Sequence, residues 1–322
     1  MKAFVTGGTG FIGTHLVNAL LARGDDVTCL VRTPAKAGVL AGRVRIVPGD
    51  LDDAAALRAG CAAADVVFHL AGRVAGRGLG EFMRANRDGT ATLLEAAGER
   101  PLRRFVYVSS IAAAGPTEPG RPIDETRAPR PVTPYGRSKL AGEVLVRATP
   151  LPWSVVRPPI VYGEGDRATL DIFRLANRGL VPLFGDGSQE LSLVYVGDVI
   201  AALLAVVATE RTVGRVYFAA HPEITTARDL ALAVGRALGR RPRTLAVPLP
   251  VARVVLWTVG GLARITGRAA VLSPERAEEF LAPAWTCRAD ALRADAGWQA
   301  GIDLATGLSR TAAWYRQEGW LR

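Results

Sequence analysis

The length, composition and charge of the chain narrow the class of protein before any motif is considered. Its 322 residues are 49% hydrophobic and 22% charged, which is typical of a globular protein with one or two domains. The formal net charge is +10, but the arginines are spread along the chain without the aromatic-lined basic stripe of a nucleic-acid surface. We therefore expect no nucleic-acid partner.

Cysteine and histidine are few, and no apolar run is long enough to cross a bilayer. The cysteines, Cys29, Cys61 and Cys287, lack the spacing of a zinc site or a disulfide framework, so we expect no metal and a reducing, cytoplasmic location. The uncharged apolar run at 254–263 falls well short of the roughly 20 residues that span a membrane. We expect no integral membrane association.

Strand-like and helix-like segments alternate along the first 110 residues. Helical patterns cover 11–23 and 86–99. The β-rich runs are 2–6, 26–32, 44–47, 65–70 and 104–108, with later ones at 153–157 and 216–219. Near-continuous apolar strands separated by helices predict an α/β fold whose parallel, doubly wound sheet is covered on both faces, with a smaller C-terminal lobe for the substrate.

The composition changes after Arg157, where prolines and the glycine-rich FGDGS mark loops. We assign residues 1–157 and about 190–221 to a domain of the Rossmann type. Residues 158–189 and about 222–322 would form the substrate-binding lobe.

The stretch TGGTGFIG at 6–13 follows the first strand and begins a helix. Gly7 permits a tight turn, Gly10 lets the backbone approach a pyrophosphate, and Gly13 lets helix and strand pack closely. The N-terminus of the helix offers unpaired N–H groups to the phosphates. We predict a dinucleotide site here; its residues in this turn are Gly7, Thr9, Gly10, Phe11, Ile12 and Gly13.

The end of the second strand selects the cofactor. An NAD site usually has a carboxylate there for the ribose 2′-hydroxyl, whereas this strand ends in Leu-Val-Arg-Thr. The guanidinium of Arg32 suits a 2′-phosphate, and Lys36 could add a second cation. NADP(H) is the preferred prediction and NAD(H) the alternative, in which Arg32 is a solvated surface residue.

Tyr135 and Lys139 lie four residues apart in a predicted helix and so share a face. An ammonium about 4 Å from a phenolate, at an effective dielectric of about 20, stabilises it by roughly 4 kcal/mol, or about three pKa units. The tyrosine could then exchange a proton near neutral pH. The alternative is a solvated face on which Lys139 pairs with Glu143.

Several motifs in a fixed order make the chain similar to a known family. They are TGGTGFIG (6–13), GDL (49–51), HLAG (69–72), Asn86 with Gly89-Thr90, YVSS (107–110), YGRSK (135–139), RPPIVYG (157–163) and VYVGDV (194–199). Over nearly its whole length the chain resembles the extended short-chain dehydrogenase/reductase family, also called the NAD-dependent epimerase/dehydratase family.

This resemblance implies roles for individual residues. Tyr135 would be the acid/base, Lys139 would lower its pKa and hold the nicotinamide ribose, and Ser110 would hydrogen-bond the reacting oxygen, with Ser109 as the competitor. The cofactor contacts outside the glycine turn would be Arg32, Lys36, Asp50, Leu51, Leu70, Ala71, Gly72, Asn86, Pro158 and Val161.

One departure concerns the substrate. Sugar-nucleotide enzymes of the family usually carry a phosphate-binding arginine where this chain has Glu190, Leu191 and Ser192. The C-terminal lobe is also strongly apolar, as expected of the wall of an apolar pocket or simply of core; its apolar residues include Leu249, Val251, Val254, Val255, Leu256, Trp257 and Leu262.

These features favour the branch that resembles hydroxysteroid dehydrogenases and dihydroflavonol reductases. We expect NADP(H)-dependent reduction of a ketone or aldehyde, or oxidation of a secondary alcohol, on an apolar sterol-like or flavonoid-like molecule. The alternative is a nucleotide-sugar epimerase or dehydratase with tightly bound NAD(P), gripping phosphate through Arg253 or Arg268. A third reading is a non-catalytic dinucleotide-binding sensor or scaffold.

Three further expectations concern surfaces. The resemblance implies a homodimer formed through helices at about 80–99 and 135–148. The stretch 248–267 is either a pocket wall or a contact with a membrane surface. The residues expected to border the substrate after the fourth strand are Arg73, Arg77, Glu81 and Met83.

Overall fold

The computed structural model describes residues 1–76, 78–254, 258 and 277–321. The strands in this part of the chain are β1 (Lys2–Thr6), β2 (Asp26–Val31), β3 (Arg45–Pro48), β4 (Val66–His69), β5 (Arg104–Val108), β6 (Trp153–Arg157), β7 (Ile160–Tyr162), β8 (Leu180–Phe184), β9 (Glu190–Tyr195), β10 (Arg215–Phe218), β11 (Ile224–Thr226), β12 (Arg243–Val247) and β13 (Ala284–Trp285).

The α-helices of the same part are α1 (Phe11–Ala22), α2 (Ala54–Cys61), α3 (Leu79–Met83), α4 (Gly89–Gly98), α5 (Ile111–Ala114), α6 (Pro134–Ala148), α7 (Leu170–Asn177), α8 (Val196–Ala208), α9 (Ala227–Ala237), α10 (Ala277–Leu281), α11 (Asp290–Ala296) and α12 (Leu304–Gln317). Short 3₁₀ turns occupy Pro34–Lys36, Gly38–Leu40 and Glu210–Thr212, and a π-turn occupies Arg84–Asp88.

The larger sheet has seven parallel strands in the order β10-β6-β5-β4-β1-β2-β3. Its strands are short apolar runs because helices cover both faces: α1 and α8 pack on one, and α2, α4 and α6 on the other. The order reverses between β1 and β4, which opens a crevice at the carboxyl ends of these strands. The predicted doubly wound α/β fold is confirmed.

A smaller sheet stands apart from the first. Strand β9 lies at its centre, with β7 and β13 parallel to it and β11 antiparallel, while β8 and β12 form a separate parallel pair. Their core contains Phe173, Tyr195 and Tyr315. Apart from β9, these strands lie within 158–189 and 222–322, the segments that the sequence assigns to the substrate lobe.

The domain boundaries stay a prediction, and two packing contacts cross them. The strand Glu190–Tyr195 pairs within the smaller sheet, although it falls in the segment 190–221 assigned to the larger domain. Conversely, Leu292 and Trp298 of the C-terminal region pack against the core of the larger sheet. Both contacts join apolar residues that are far apart in the sequence. A change in composition along the chain does not indicate contacts of this kind.

The helices of the described residues include none long and apolar enough to cross a membrane.

Candidate active site

The glycine turn lies between β1 and α1, at the carboxyl edge of the larger sheet. Gly7 has φ +78°, and a Cβ added there would lie 2.6 Å from the backbone nitrogen of Ala71. A Cβ on Gly13 would overlap the Gly7 carbonyl oxygen and come within 2.8 Å of its carbonyl carbon. The turn therefore requires glycine at both positions, which brings strand, helix and the end of β4 into close contact.

The first turn of α1 is open on its outer side. Gly10 caps the helix without any side-chain hydrogen bond, and Thr9 and Gly10 are exposed, whereas Phe11 and Ile12 are half-buried. Free N–H groups at the start of a helix of 12 residues favour an anion there. We call this glycine turn and the start of α1 the dinucleotide cradle. It has no room for side chains at Gly7 and Gly13 and leaves the helix N-terminus accessible to a phosphate, so it fits a dinucleotide.

The neighbouring strands supply the predicted adenine side. Arg32 directly follows β2, is exposed, and makes no hydrogen bond or ion pair with the residues that the structure describes. The Lys36 side chain lies outside the described part. Asp50 is exposed and accepts a hydrogen bond from the Asp52 amide at 3.0 Å, and Leu51 packs against Gly89.

The end of β4 meets the residues around Lys139. A Cβ on Gly72 would lie 2.8 Å from Asn86 Oδ1 and 3.9 Å from Lys139 Nζ. The buried Asn86 amide accepts from the Arg73 N–H (2.7 Å) and donates to the Arg73 carbonyl (3.0 Å) and to Ser138 Oγ (2.8 Å). Asn86 thus ties the loop after β4 to α6, and its contact with a cofactor stays a prediction.

Leu70 and Ala71 continue this edge. Both are half-buried, and the Ala71 amide donates to Thr6 Oγ1 at 3.3 Å. Beneath them His69 is hydrogen-bonded to Thr6 (2.7 Å) and Thr90 (2.9 Å). Burial, followed by the nearby Lys139, lowers the pKa of His69 to about 3, so this histidine is a neutral structural link.

The helix α6 presents both Tyr135 and Lys139. Its start is fixed by Thr133, whose hydroxyl accepts the Gly136 N–H at 3.0 Å, and by Pro134 in the first turn. Tyr135 is half-buried and meets the edge of the Phe82 ring, with centroids 6.2 Å apart. Lys139 is buried, with Nζ 4.2 Å from the centroid of the Tyr107 ring.

Lys139 is not on a solvated face, and it forms no ion pair with the described residues. Burial lowers the pKa of Lys139 to about 7, opposed in part by the charge of Glu143. With this lowered pKa, Lys139 carries only part of a positive charge at neutral pH, not the full ammonium assumed from the sequence. Lys139 can therefore stabilise a Tyr135 phenolate only where other groups keep the Lys139 amine protonated.

Glu143 is engaged elsewhere. Its carboxylate accepts two hydrogen bonds from Arg157, at 2.9 Å (Nε) and 2.5 Å (Nη2), and one from the Ser109 hydroxyl at 2.5 Å. All three side chains are buried. This network joins α6 to the ends of β5 and β6, and it occupies the Ser109 hydroxyl.

Ser110 differs from Ser109 in both exposure and bonding. It is half-buried and caps α5, its Oγ accepting the Ala112 N–H at 3.1 Å. Its own O–H has no acceptor among the described residues, so it is free to donate. Of the two candidates, Ser110 is thus the one whose hydroxyl could reach a bound molecule.

Pro158 and Val161 follow β6. Pro158 is buried and its carbonyl accepts the Ile111 N–H at 2.9 Å, which holds α5 against the end of β6. Val161 is half-buried in β7 and contacts both the larger and the smaller core.

The sequence did not predict the contact of Phe82 with Tyr135 or the buried ion pair of Glu143 with Arg157. No local sequence signal reveals such contacts.

The substrate side is only partly described. Arg73 pairs with Glu81 at 3.1 Å, and Met83 is half-buried, whereas Arg77 lies outside the described residues. Glu190 stands where sugar-nucleotide enzymes of the family usually carry a phosphate-binding arginine. Its Oε2 accepts a hydrogen bond from the Gly120 N–H at 2.8 Å. Leu191 and Ser192 are buried.

The apolar C-terminal stretch does not form a closed wall where it is visible. Leu249, Val251 and Val254 are exposed, and Arg253 is exposed without a partner among the described residues. The other residues predicted for this wall or for gripping phosphate, Val255, Leu256, Trp257, Leu262 and Arg268, lie outside the described part of the chain.

Comparison with known proteins places this geometry in a family. Residues 3–220 match the model of the NAD dependent epimerase/dehydratase family. The chain is 33% identical over 320 residues to a ceramide reductase of Caulobacter vibrioides, covering 98% of this chain and 95% of the relative. It is 37% identical over 227 residues to a 4-hydroxy-2-methyl-3-oxo-4-farnesyl-3,4-dihydroquinoline-1-oxide ketoreductase of Stigmatella aurantiaca, covering 68% and 67%.

A solved structure agrees over the full length. MoeE5 in complex with UDP-glucuronic acid and NAD superposes with a TM-score of 0.79 at 26% identity, covering 99% of this chain and 100% of that one. The glycine turn, the placement of Tyr135 and Lys139 on α6, and these similarities lead to one conclusion. The chain belongs to the NAD-dependent epimerase/dehydratase family, whose members bind NAD(P), and it is an oxidoreductase of this type or a related enzyme.

Proposed function

We propose that the protein is an NADP(H)-dependent oxidoreductase that reduces a ketone or aldehyde, or oxidises the matching secondary alcohol, on a hydrocarbon-rich molecule. The observation that carries this proposal is the approach of Lys139 Nζ to Gly72, at the end of the strand whose next loop contacts the glycine turn; Ser110 and Tyr135 stand at the starts of the adjoining helices α5 and α6. The apolar substrate class is supported by two relatives named for a ceramide and for a farnesyl-bearing quinoline.

The glycine turn at 6–13 and Lys139 would hold the dinucleotide, which would supply a hydride for reduction of the carbonyl carbon. The Tyr135 hydroxyl gives its proton to the carbonyl oxygen, and the Ser110 O–H donates a hydrogen bond to the same oxygen, so that the product is an alcohol. Oxidation runs through the same groups in reverse.

Lys139 has a second use in this scheme. A lysine whose pKa is about 7 can release and regain a proton at neutral pH, so it can help to restore the Tyr135 proton after each reduction. The hydroxyls of a bound ribose would also solvate Lys139 and favour its ammonium form. In that state its charge would lower the pKa of Tyr135.

The decisive experiment compares Tyr135→Phe with Tyr162→Phe, a buried tyrosine of the smaller core. Both are assayed with NADPH and long-chain ketones, following product formation. Loss of the acid should lower kcat/KM by about 10² to 10⁴ for Tyr135→Phe and leave Tyr162→Phe near wild type. Unchanged turnover in Tyr135→Phe would overturn the mechanism and revive the non-catalytic reading.

NADP(H) preference is proposed from Arg32, which is exposed and has no partner within the described part of the chain. A charge-assisted bond to a 2′-phosphate contributes about 1.5–3 kcal/mol, so Arg32→Gln should weaken NADPH binding about tenfold to a hundredfold and spare NADH. Binding is measured by fluorescence titration, with Arg45→Gln as the exposed control. Equal losses for both cofactors, or none for either, would contradict this assignment.

The second candidate is a nucleotide-sugar epimerase or dehydratase with tightly bound NAD(P). The similarity to MoeE5 supports it, and Arg253 offers an exposed cation that has no partner among the residues that the structure describes. Against it stands the packed segment containing Glu190, Leu191 and Ser192. Conversion of UDP-glucose or UDP-glucuronic acid, without net consumption of NADPH and without activity on ketones, would favour this candidate.

We also propose a homodimer formed through α4 and α6. Val144 is 56% exposed on α6, and Leu140 and Leu145 are half-buried, whereas Leu93 is buried in the core of its own chain and Leu94 packs beside it. Sedimentation velocity of Val144→Glu tests this: a shift from dimer to monomer is expected, and a wild-type monomer would refute it.

A further inference from the structure

The paired strands β8 and β12 form an exposed surface. Their register places Leu180 opposite Arg243 and Pro182 opposite Leu245. Directly opposed residues point to the same side of a sheet. Along β8, Leu180 and Pro182 are exposed, whereas Val181 between them is buried. Leu180, Pro182, Arg243 and Leu245 therefore share one outward face.

The chain after β12 extends this surface. A Cβ on Gly185 would lie 3.5 Å from Leu249 Cδ2, so the helical turn that begins at Leu249 abuts the end of β8. In this turn Ala252 is buried and its neighbours Val251 and Val254 face outward. We call the whole surface the basic apolar face. Its large apolar members are 45–62% exposed; they are Leu180, Leu245, Leu249, Val251 and Val254.

The charge of this region has one sign. Residues 230–274 contain seven arginines and no aspartate or glutamate. Five exposed arginines lie on or near the basic apolar face and have no ion-pair partner among the described residues; they are Arg178, Arg240, Arg241, Arg243 and Arg253. Elsewhere many arginines are paired, as Arg58 is with Glu99.

We propose that the basic apolar face docks on the surface of an anionic lipid bilayer. Aliphatic side chains surrounded by unpaired arginines match an interface in which acyl chains lie below negatively charged phosphates. A nucleic acid would call for exposed aromatic rings, but the large apolar residues exposed on the described chain are all aliphatic. A second copy of this face would bring arginines against arginines.

Docking would place the lobe proposed for the substrate at the source of hydrocarbon-rich molecules. The docking proposal does not depend on the reaction, since it is tested by binding alone. Each arginine near an anionic surface contributes about a fivefold gain in partitioning, and the apolar side chains add to it by entering the headgroup boundary.

The test is flotation of the full-length protein with vesicles of phosphatidylglycerol or of phosphatidylcholine. We expect binding to the anionic vesicles only, weakened by salt. Arg243→Gln/Arg253→Gln should lower partitioning about thirtyfold. The control double variant, Arg45→Gln/Arg100→Gln, changes exposed arginines elsewhere and should lower it much less.

A second pair of variants tests the apolar part. Val251→Ser/Val254→Ser should lower partitioning at least tenfold, while Val213→Ser/Ile224→Ser, exposed outside the face, should not. The proposal is overturned if anionic vesicles are not bound, or if the paired variants and their controls bind equally. It is also overturned if these variants change the oligomeric mass or the affinity for duplex DNA instead of vesicle binding.

Discussion

Replacing Lys139 by methionine should stabilise the cofactor-free protein at neutral pH. Methionine keeps the length of the side chain and its apolar body while it removes a buried amine. Because burial lowers the pKa of Lys139 from 10.5 to about 7, the folded protein resists a charge that the unfolded chain accepts freely. At pH 7 this difference in pKa lowers the free energy of unfolding of the wild type by about 4 kcal/mol. Lys139→Met removes that cost but also loses the contact with the Tyr107 ring, which contributes about 1 kcal/mol.

The dependence on pH gives the sharper signature. Between pH 7 and 10.5 the unfolded chain binds a proton that the folded protein has released, so stability rises with pH across this window and is level below it. From pH 7 to pH 9 the wild type should gain about 2 kcal/mol from this group, and Lys139→Met should gain none of it. The difference in free energy of unfolding between Lys139→Met and the wild type therefore falls by about 2 kcal/mol from pH 7 to pH 9.

Urea unfolding followed by tryptophan fluorescence, at several values of pH from 7 to 9, measures both effects. Other titrating groups are common to the two proteins and cancel in the difference. Lys2→Met, at an exposed lysine, controls for the loss of a positive charge. If wild type and Lys139→Met gain stability in parallel, the amine is not desolvated and the reasoning fails.

Three further perturbations test the surrounding framework. Glu143→Gln leaves the buried Arg157 without its counter-ion and should cost about 3–5 kcal/mol in urea unfolding; a loss below about 1 kcal/mol would contradict the network. Gly13→Ala should weaken dinucleotide binding at least tenfold by fluorescence titration, because the Cβ overlaps the turn, whereas Gly98→Ala, with open space around it, should not. Because the pKa of His69 is lowered to about 3 in the folded protein, the free energy of unfolding should fall by about 1.4 kcal/mol per pH unit as the pH falls below 6.5. His69→Asn should lack this slope in acid unfolding curves, and an unchanged slope would refute the assignment.

The buried network around Glu143 explains why two neighbouring serines differ in their hydrogen bonds. Ser109 and Ser110 are adjacent in YVSS, and the sequence left them as competitors. Glu143, 34 residues from Ser109, accepts a hydrogen bond from the Ser109 hydroxyl, whereas the Ser110 O–H has no acceptor among the described residues. A choice of this kind depends on a contact between distant segments, and no local pattern contains it.

The seven strands of the larger sheet were predictable because each is a short apolar run between helical patterns. The predicted strands 104–108 and 153–157 match Arg104–Val108 and Trp153–Arg157 residue for residue. The predicted helix 86–99 instead becomes α4 preceded by a π-turn. The smaller sheet was missed, since β13 has two residues and pairs with β9 more than 90 positions away.

The sequence by itself determined the parallel sheet, the glycine turn and the helical spacing of Tyr135 and Lys139, because these depend on residues close together in the chain. Only the tertiary structure decided that Lys139 is buried, that Ser109 is bound by Glu143, and that Leu249 and Val254 face outward. Burial and partners arise where distant segments pack against each other. The electrostatic state of a side chain therefore follows from the fold rather than from its neighbours in sequence.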